Sequence, residues 1–411
     1  MSTVSNSQLQ AGGRGGSTMI RWLTYLMFMM FAMTTDSVGV IIPEVIREFR
    51  LSMTAASAFH YATMGAIALA GIGLGFLADR LGRKRTIILG LSLFALNSFL
   101  FIAGNSFVFF LCLLSVSGAA IGIFKTGALA LIGDITTSTR EHTSTMNTVE
   151  GFFGVGAMIG PALVALLLTQ GVSWKWLYLI AGLLCTLLII VALFVKYPEA
   201  SHQESTPVDL RSTGRMLGDP YAMGFSLALF LYVAVECSIY VWMPTLLAGY
   251  TGPAAWAATY SITIFFLLRA GGRFLGSWLL GHFSWGAVMA VLSGAILVCF
   301  LGSILGGVQL AVFLLPLSGL FMSMIYPTLN SKGISCFPKH LHGSVSGIIL
   351  FFSCLAAAVG PLLMGAVSDA FGSARHGFIL ATLFAGLLWL GLLANHLLKP
   401  ADARLRAMEA H

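Results

Sequence analysis

Along this chain the polar positions come as short punctuation between long apolar blocks. Apolar runs bounded by charged or turn residues fall at 20–46, 54–78, 86–104, 107–133, 145–169 and 174–196, and six more at 221–249, 254–281, 285–304, 308–334, 344–369 and 376–398. A helix rising about 1.5 Å per residue needs roughly 20 apolar residues to cross the hydrocarbon layer, so each run is read as one crossing. The runs are too long and too uniformly apolar for barrel strands that alternate at period two. The longest polar break, from Tyr197 to Pro220, carries Glu199, Glu204, Asp209, Arg211 and Arg215 and separates two sets of six runs. The pattern predicts an all-α membrane protein with twelve transmembrane helices in two six-helix bundles, over 20–196 and 221–398. A disordered cytoplasmic tail is expected over 1–19, a cytoplasmic linker over 197–220 and a second cytoplasmic tail over 399–411.

Composition agrees. With 58% hydrophobic and only 9% charged residues, the chain needs lipid as its solvent, and little length remains for a soluble domain. The net charge of +7 is a topology signal rather than a nucleic-acid signature, because the basic residues sit in the loops between apolar runs. With the N-terminus placed in the cytoplasm, fifteen basic residues fall on the cytoplasmic side, Arg80, Arg83, Lys84 and Arg85 among them. Only Arg47, Arg50, Lys175 and Arg375 fall on the other. Basic residues resist translocation, so both termini are expected inside a bacterial inner membrane. Met1–Thr18 lacks an apolar core with a cleavage site and does not read as a signal peptide. The six cysteines stand singly, without metal or redox spacing, and no metal or cofactor is expected.

The two halves repeat at an offset of about 200 residues. Asp36 answers to Glu236, Pro43 to Pro244, Gly75 to Gly276, and Gly160-Pro161 to Gly360-Pro361. Four matches in the same order indicate duplication. Parallel duplicated six-helix halves are a known carrier architecture, with a site near the bilayer midplane reached alternately from each side.

Between the second and third runs the chain reads Gly75-Phe76-Leu77-Ala78-Asp79-Arg80-Leu81-Gly82-Arg83-Lys84-Arg85. Gly75 allows close helix approach, Asp79 can accept charge-assisted hydrogen bonds, and Gly82 permits a tight turn. This segment closely resembles the cytoplasmic signature of the major facilitator superfamily. The resemblance implies two pseudo-symmetric six-helix bundles, and a gating role for Gly75, Asp79, Arg80, Gly82 and Arg83. The second-half counterpart, Gly276 to His282, has lost the acid, so the latch is expected to be one-sided. Leu231 to Glu236, Gly272 to Gly276, and Gly319 to Ser323 with Tyr326-Pro327-Thr328 resemble the fucose-galactose-glucose proton symporter branch. Where that branch implies an acid in span 4, this chain has Lys125.

Ionisable groups at mid-span cost about 2.5–3.5 kcal/mol each even on a lenient insertion scale, so they are paired, hydrated or functional. Asp36, Glu150 and Glu236 are the candidate proton-coupling acids, since burial brings a carboxyl group toward exchange near neutrality. Lys125 lies near the cytoplasmic end of span 4 and Glu150 near the start of span 5. They are read either as a static bridge or as a pair facing a cavity, where the lysine attracts an anionic or hydroxyl-rich solute. Arg269 and Arg273, one turn apart toward the cytoplasmic end of span 8, are read as bracing a gate, with anion binding as the alternative. His60, Asn147, Tyr240, Trp242, Tyr326 and Asn330 complete the substrate-binding candidates, each with ordinary helix packing as its bland alternative.

The resulting expectation is a secondary active transporter, with a small polar solute and protons as partners, membrane lipid around it, no nucleic acid and a monomeric state. Symport of a sugar or sugar-derived organic acid leads. A proton-antiport exporter of drugs or metabolites is the alternative, suggested by the glycines of Gly151 to Pro161. A non-transporting membrane sensor is the alternative from another class, but both polar segments are short for signalling. No enzyme is expected, because neither HExxH nor GxSxG occurs.

Overall fold

The computed structural model describes residues 5–74, 77–136, 139–197, 217–338 and 341–409, and all regular structure among them is helical. The first half supplies α1 (Ser5–Thr35), α2 (Val38–Phe49), α3 (Met53–Ala56), α4 (Ala58–Gly73), α5 (Leu77–Arg80), α6 (Arg83–Leu100), α7 (Phe107–Ile135), α8 (Thr139–Thr169) and α9 (Lys175–Phe194). The second supplies α10 (Pro220–Leu247), α11 (Ala255–Thr259), α12 (Ser261–His282), α13 (Trp285–Met322), α14 (Ile325–Ser335), α15 (His342–Ala370), α16 (Ala374–Leu398) and α17 (Pro400–Glu409).

Among the described residues nine segments are long and apolar enough to cross a membrane. One of them, Trp285–Ser335, holds two expected crossings, because the chain turns at Gly307 with φ 65°. Only a residue without a β-carbon adopts that backbone angle cheaply. The helices Ala58–Gly73 and Arg83–Leu100 stand where spans 2 and 3 were expected. Large apolar side chains such as Phe194, Phe274 and Leu305 are more than four-fifths exposed, the pattern of a lipid-facing surface.

The chain divides into two compact units whose boundary does not follow the linker alone. One comprises 1–38 and 62–204, the other 39–61 and 205–411. Span 1 is interrupted at Asp36-Ser37, and the division falls directly after this break, at Val38 and Gly39. Residues 198–216, the core of the expected linker, lie outside the described residues.

In the first unit α1 packs on α8, and α6 on α7 and α9. Its core is built on Phe31, with Phe94 at 4.9 Å and Phe124 at 4.7 Å between ring centroids. The α1–α8 contact depends on missing side chains. A β-carbon on Gly156 would fall 2.0 Å from the Met29 carbonyl oxygen, and one on Gly160 would fall 2.1 Å from that of Met33. Gly156 and Gly160 therefore serve helix approach, the packing device that replaces the hydrophobic drive inside lipid.

In the second unit α10 packs on α15 and α16, and α12 and α16 pack on α13. Within the segment 399–411, expected as a tail, Pro400–Glu409 form α17, which is docked. Asp402 accepts a 2.6 Å hydrogen bond from the Trp285 indole, and Arg404 donates to the Cys336 carbonyl at 3.2 Å.

Candidate transport site

The second unit gathers its membrane-embedded charges around α10. Tyr232 and Glu236 stand four residues apart on this helix, hence on one face, and both are buried. Arg269 on α12 forms an ion pair with the Glu236 carboxylate. The Tyr232 hydroxyl lies beside the same carboxylate and donates to the Met322 carbonyl at 2.8 Å. Met322 ends α13, and the chain turns through Ser323 and Met324 before α14 resumes at Ile325. The carbonyl freed by this break would lack a partner in lipid, and the phenol supplies one. Span 8 reaches this place because Gly272 lies against the Leu320 carbonyl, where a β-carbon would sit 2.1 Å away.

Arg269 stands near the middle of the 22-residue α12, deeper than the cytoplasmic end where the sequence reading placed it. The reason is where the helix begins: α12 starts at Ser261, after the separate short helix α11, and not at 254, so Arg269 is its ninth residue. Arg273, one turn on, is exposed, and Tyr326 lies with its ring 6.4 Å from Tyr232. Asn330 follows one turn later on α14, half-buried. Sequence reasoning missed Tyr232; its position four residues before Glu236 was the available signal.

Elsewhere in this unit, Trp242 uses its indole to bond the Pro361 carbonyl at 3.0 Å, and Tyr240 contacts the Cys237 thiol at 2.6 Å. His60, expected near a span entrance, is buried with its ring 5.6 Å from Tyr240. Neither of its ring nitrogens makes a hydrogen bond of normal geometry.

In the first unit Asp36 lies at the break in span 1 and accepts a 3.0 Å hydrogen bond from the Thr35 hydroxyl. Lys125 is half-buried on α7 with its ammonium 5.6 Å from the Phe153 ring centre on α8. Glu150 and Asn147 lie on the same helix α8 within a turn of Phe153 or one turn beyond it, both exposed.

The cytoplasmic signature is built into the same unit. Gly82, at φ 81°, turns the chain into α6. Arg83 bonds Asp134 at 2.9 Å and the Ala78 carbonyl at 2.9 Å, so it ties span 3 to the end of span 4. Lys84 donates to the Leu193 and Val195 carbonyls at the end of α9, both at 2.8 Å. Arg80 is exposed on α5, whereas Gly75 and the side chain of Asp79 lie outside the described residues. Asp134 was not singled out in the sequence; an acid closing a long apolar run was the clue.

The model of the Major Facilitator Superfamily matches residues 24–361. The chain belongs to this superfamily, and it is a membrane transporter. Among curated proteins it is 24% identical over 361 residues to a "Glucose/galactose transporter" of Brucella abortus, covering 84% of this chain and 87% of that one. It is also 24% identical over 391 residues to the "L-fucose-proton symporter" of Escherichia coli, covering 84% and 86%. Among solved structures, the nucleoside transporter NupG superposes with a TM-score of 0.72 at 13% identity, over 96% of this chain and 99% of that one.

Proposed function

We propose that this transporter is a proton-coupled symporter for a sugar or sugar-derived organic acid, working by alternating access from the inner membrane with both termini in the cytoplasm. The carrying observation is the buried Glu236–Arg269 pair with Tyr232 at the broken span 10. A carboxylate held by a permanent cation can take a proton only when its partner is given something else to bind, which is the elementary requirement for coupling. An arriving solute with hydroxyl or carboxylate oxygens meets that requirement at Arg269, because guanidinium offers five donors and never loses its charge. Glu236 is the proton site of the second half and Asp36 that of the first, with Glu150 as a further acid. Lys125 favours an anionic or hydroxyl-rich solute, while Asn147, His60, Tyr240, Trp242, Tyr326 and Asn330 supply amide, imidazole and aromatic contacts. Arg273 and the signature residues serve the gate. The relatives named for glucose, galactose and fucose support the sugar class.

The test follows external pH when sugars and sugar acids are added to energised cells expressing the protein. Alkalinisation with one of them, lost in Glu236→Gln, is the expected result. No pH change with any of the set overturns coupled import.

A further inference from the structure

Segment 39–61 belongs by sequence to the first half, being the outer part of span 1, the loop after it and the start of span 2. It nevertheless packs as part of the second unit. Gly39 lies so close to the Tyr240 carbonyl that any β-carbon would collide with it. The loop end of the segment is held by one side chain, Asp369, at the last turn of α15. Its carboxylate accepts the Met53 and Thr54 backbone N–H groups, both at 2.8 Å, and also the Thr54 hydroxyl.

The arrangement is tight as well as charged. A β-carbon on Gly365, one turn before Asp369, would lie 3.1 Å from the Thr54 nitrogen, so the two backbones touch. Ser52 accepts the next free amide, that of Ala55, at 3.1 Å. All three leading N–H groups of this short turn are thereby satisfied, two of them by an acid from 315 residues or more away in sequence. Behind the contact Ser57, Phe59 and His60 are buried. The repeat does not copy the acid: at the 200-residue offset Asp369 answers to Thr169.

We infer that Asp369 is the latch that fastens segment 39–61 to the second-half bundle on the side of the membrane opposite the N-terminus, and that the transport cycle releases it. A single-site carrier must open that side by parting span 1 and span 2 from the second half, and these hydrogen bonds are what parting breaks. A carboxylate on backbone amides suits the purpose. It is stronger than a neutral contact, yet water replaces it readily because Asp369 is exposed. Asp369 is thus a positioning residue for the conformational step, distinct from the solute and proton groups.

The latch rests on the orientation proposed above, and the experiment separates the two. A cysteine placed at Ser57, nearly isosteric with the buried serine, is treated in intact cells with a membrane-impermeant maleimide, against the same chain without it. In the parent it reacts slowly; adding Asp369→Asn or Thr54→Val raises the rate by about fivefold or more, the effect of losing one or two charge-assisted hydrogen bonds. Arg50→Cys on the adjoining loop reports orientation alone: its failure to react from outside would refute the orientation and not the contact, which inside-out vesicles would then read. The thermal midpoint of each purified variant in detergent stays near that of the parent, since the contact is exposed. Unchanged labelling at position 57 in both variants, with position 50 reactive, overturns the latch. So does a rate increase matched by a general loss of thermal stability.

Discussion

Asp36 of span 1 and Glu236 of span 7 hold corresponding places in the repeat, but their surroundings solve the cost of a buried charge in different ways. Asp36 stands where its helix breaks, next to a hydroxyl that donates to it. Glu236 stands inside the unbroken helix Pro220–Leu247, where the main chain is already used up by its own hydrogen bonds. It therefore takes its partner from another helix, Arg269 on α12. A break lets an acid be solvated locally, whereas a continuous helix obliges it to recruit a cation. The second-half site is consequently the more tightly interlocked, and removing one of its parts leaves a larger deficit.

Substitutions can break or sharpen this contrast. The largest effect is expected from Glu236→Ala, which strands the Arg269 guanidinium in a low-dielectric site. It should cost about 3–5 kcal/mol in chemical unfolding of the purified protein. Arg269→Met should cost clearly less, because the orphaned carboxyl group can take a proton and the orphaned guanidinium cannot lose one. Equal losses in the two would contradict the pairing described.

Second come the glycines that set helix spacing in the two halves. Gly160→Ala drives a methyl group against the Met33 carbonyl and should destabilise by about 3 kcal/mol. At the equivalent Gly360 the nearest atom is the Ala234 α-carbon at 3.1 Å, and alanine there should cost under about 1 kcal/mol. Unfolding curves for both variants would show whether span 5 is the tighter contact.

Third, Arg83→Ala removes a largely buried bridge to Asp134 and should cost about 1.5 kcal/mol; lysine should recover only part, since it cannot reach both Asp134 and the Ala78 carbonyl with a planar fork. The smallest change in stability, under about 0.5 kcal/mol, belongs to Asp36→Asn, which keeps an acceptor at the helix break. Its effect is expected in uptake instead. If Asp36→Asn left solute-driven alkalinisation intact while Glu236→Gln abolished it, proton coupling would belong to the second half alone.

Much of this molecule was legible in its residues, because in lipid the hydrophobic run is itself the structural element. The long apolar helices and the signature Gly82-Arg83-Lys84 follow from local pattern. What was not legible depends on register between distant helices. Arg269 and Arg273 share a face by spacing, but only the depth of α12 against α10 decides that Arg269 meets Glu236. Likewise Asp369 is a lone acid at the end of an apolar run until the fold brings Thr54 to it. The break at Asp36-Ser37 was equally hidden: Pro43, the obvious helix breaker, lies inside α2 without ending it. At the C-terminus, too, the docking lay outside local pattern: a charged segment past the last apolar run carries an aspartate matched to a tryptophan indole.

That docked terminal helix has a practical side. A fluorescent or affinity fusion appended to the last residue would emerge from a helix seated on the bundle by Asp402 and Arg404, not from a slack leash. Trimming back to Lys399 would bare the Trp285 indole and the Tyr221 ring that the Arg404 guanidinium covers at 5.5 Å. Expression designs for this carrier should therefore keep residues 400–409 and place a flexible spacer beyond them.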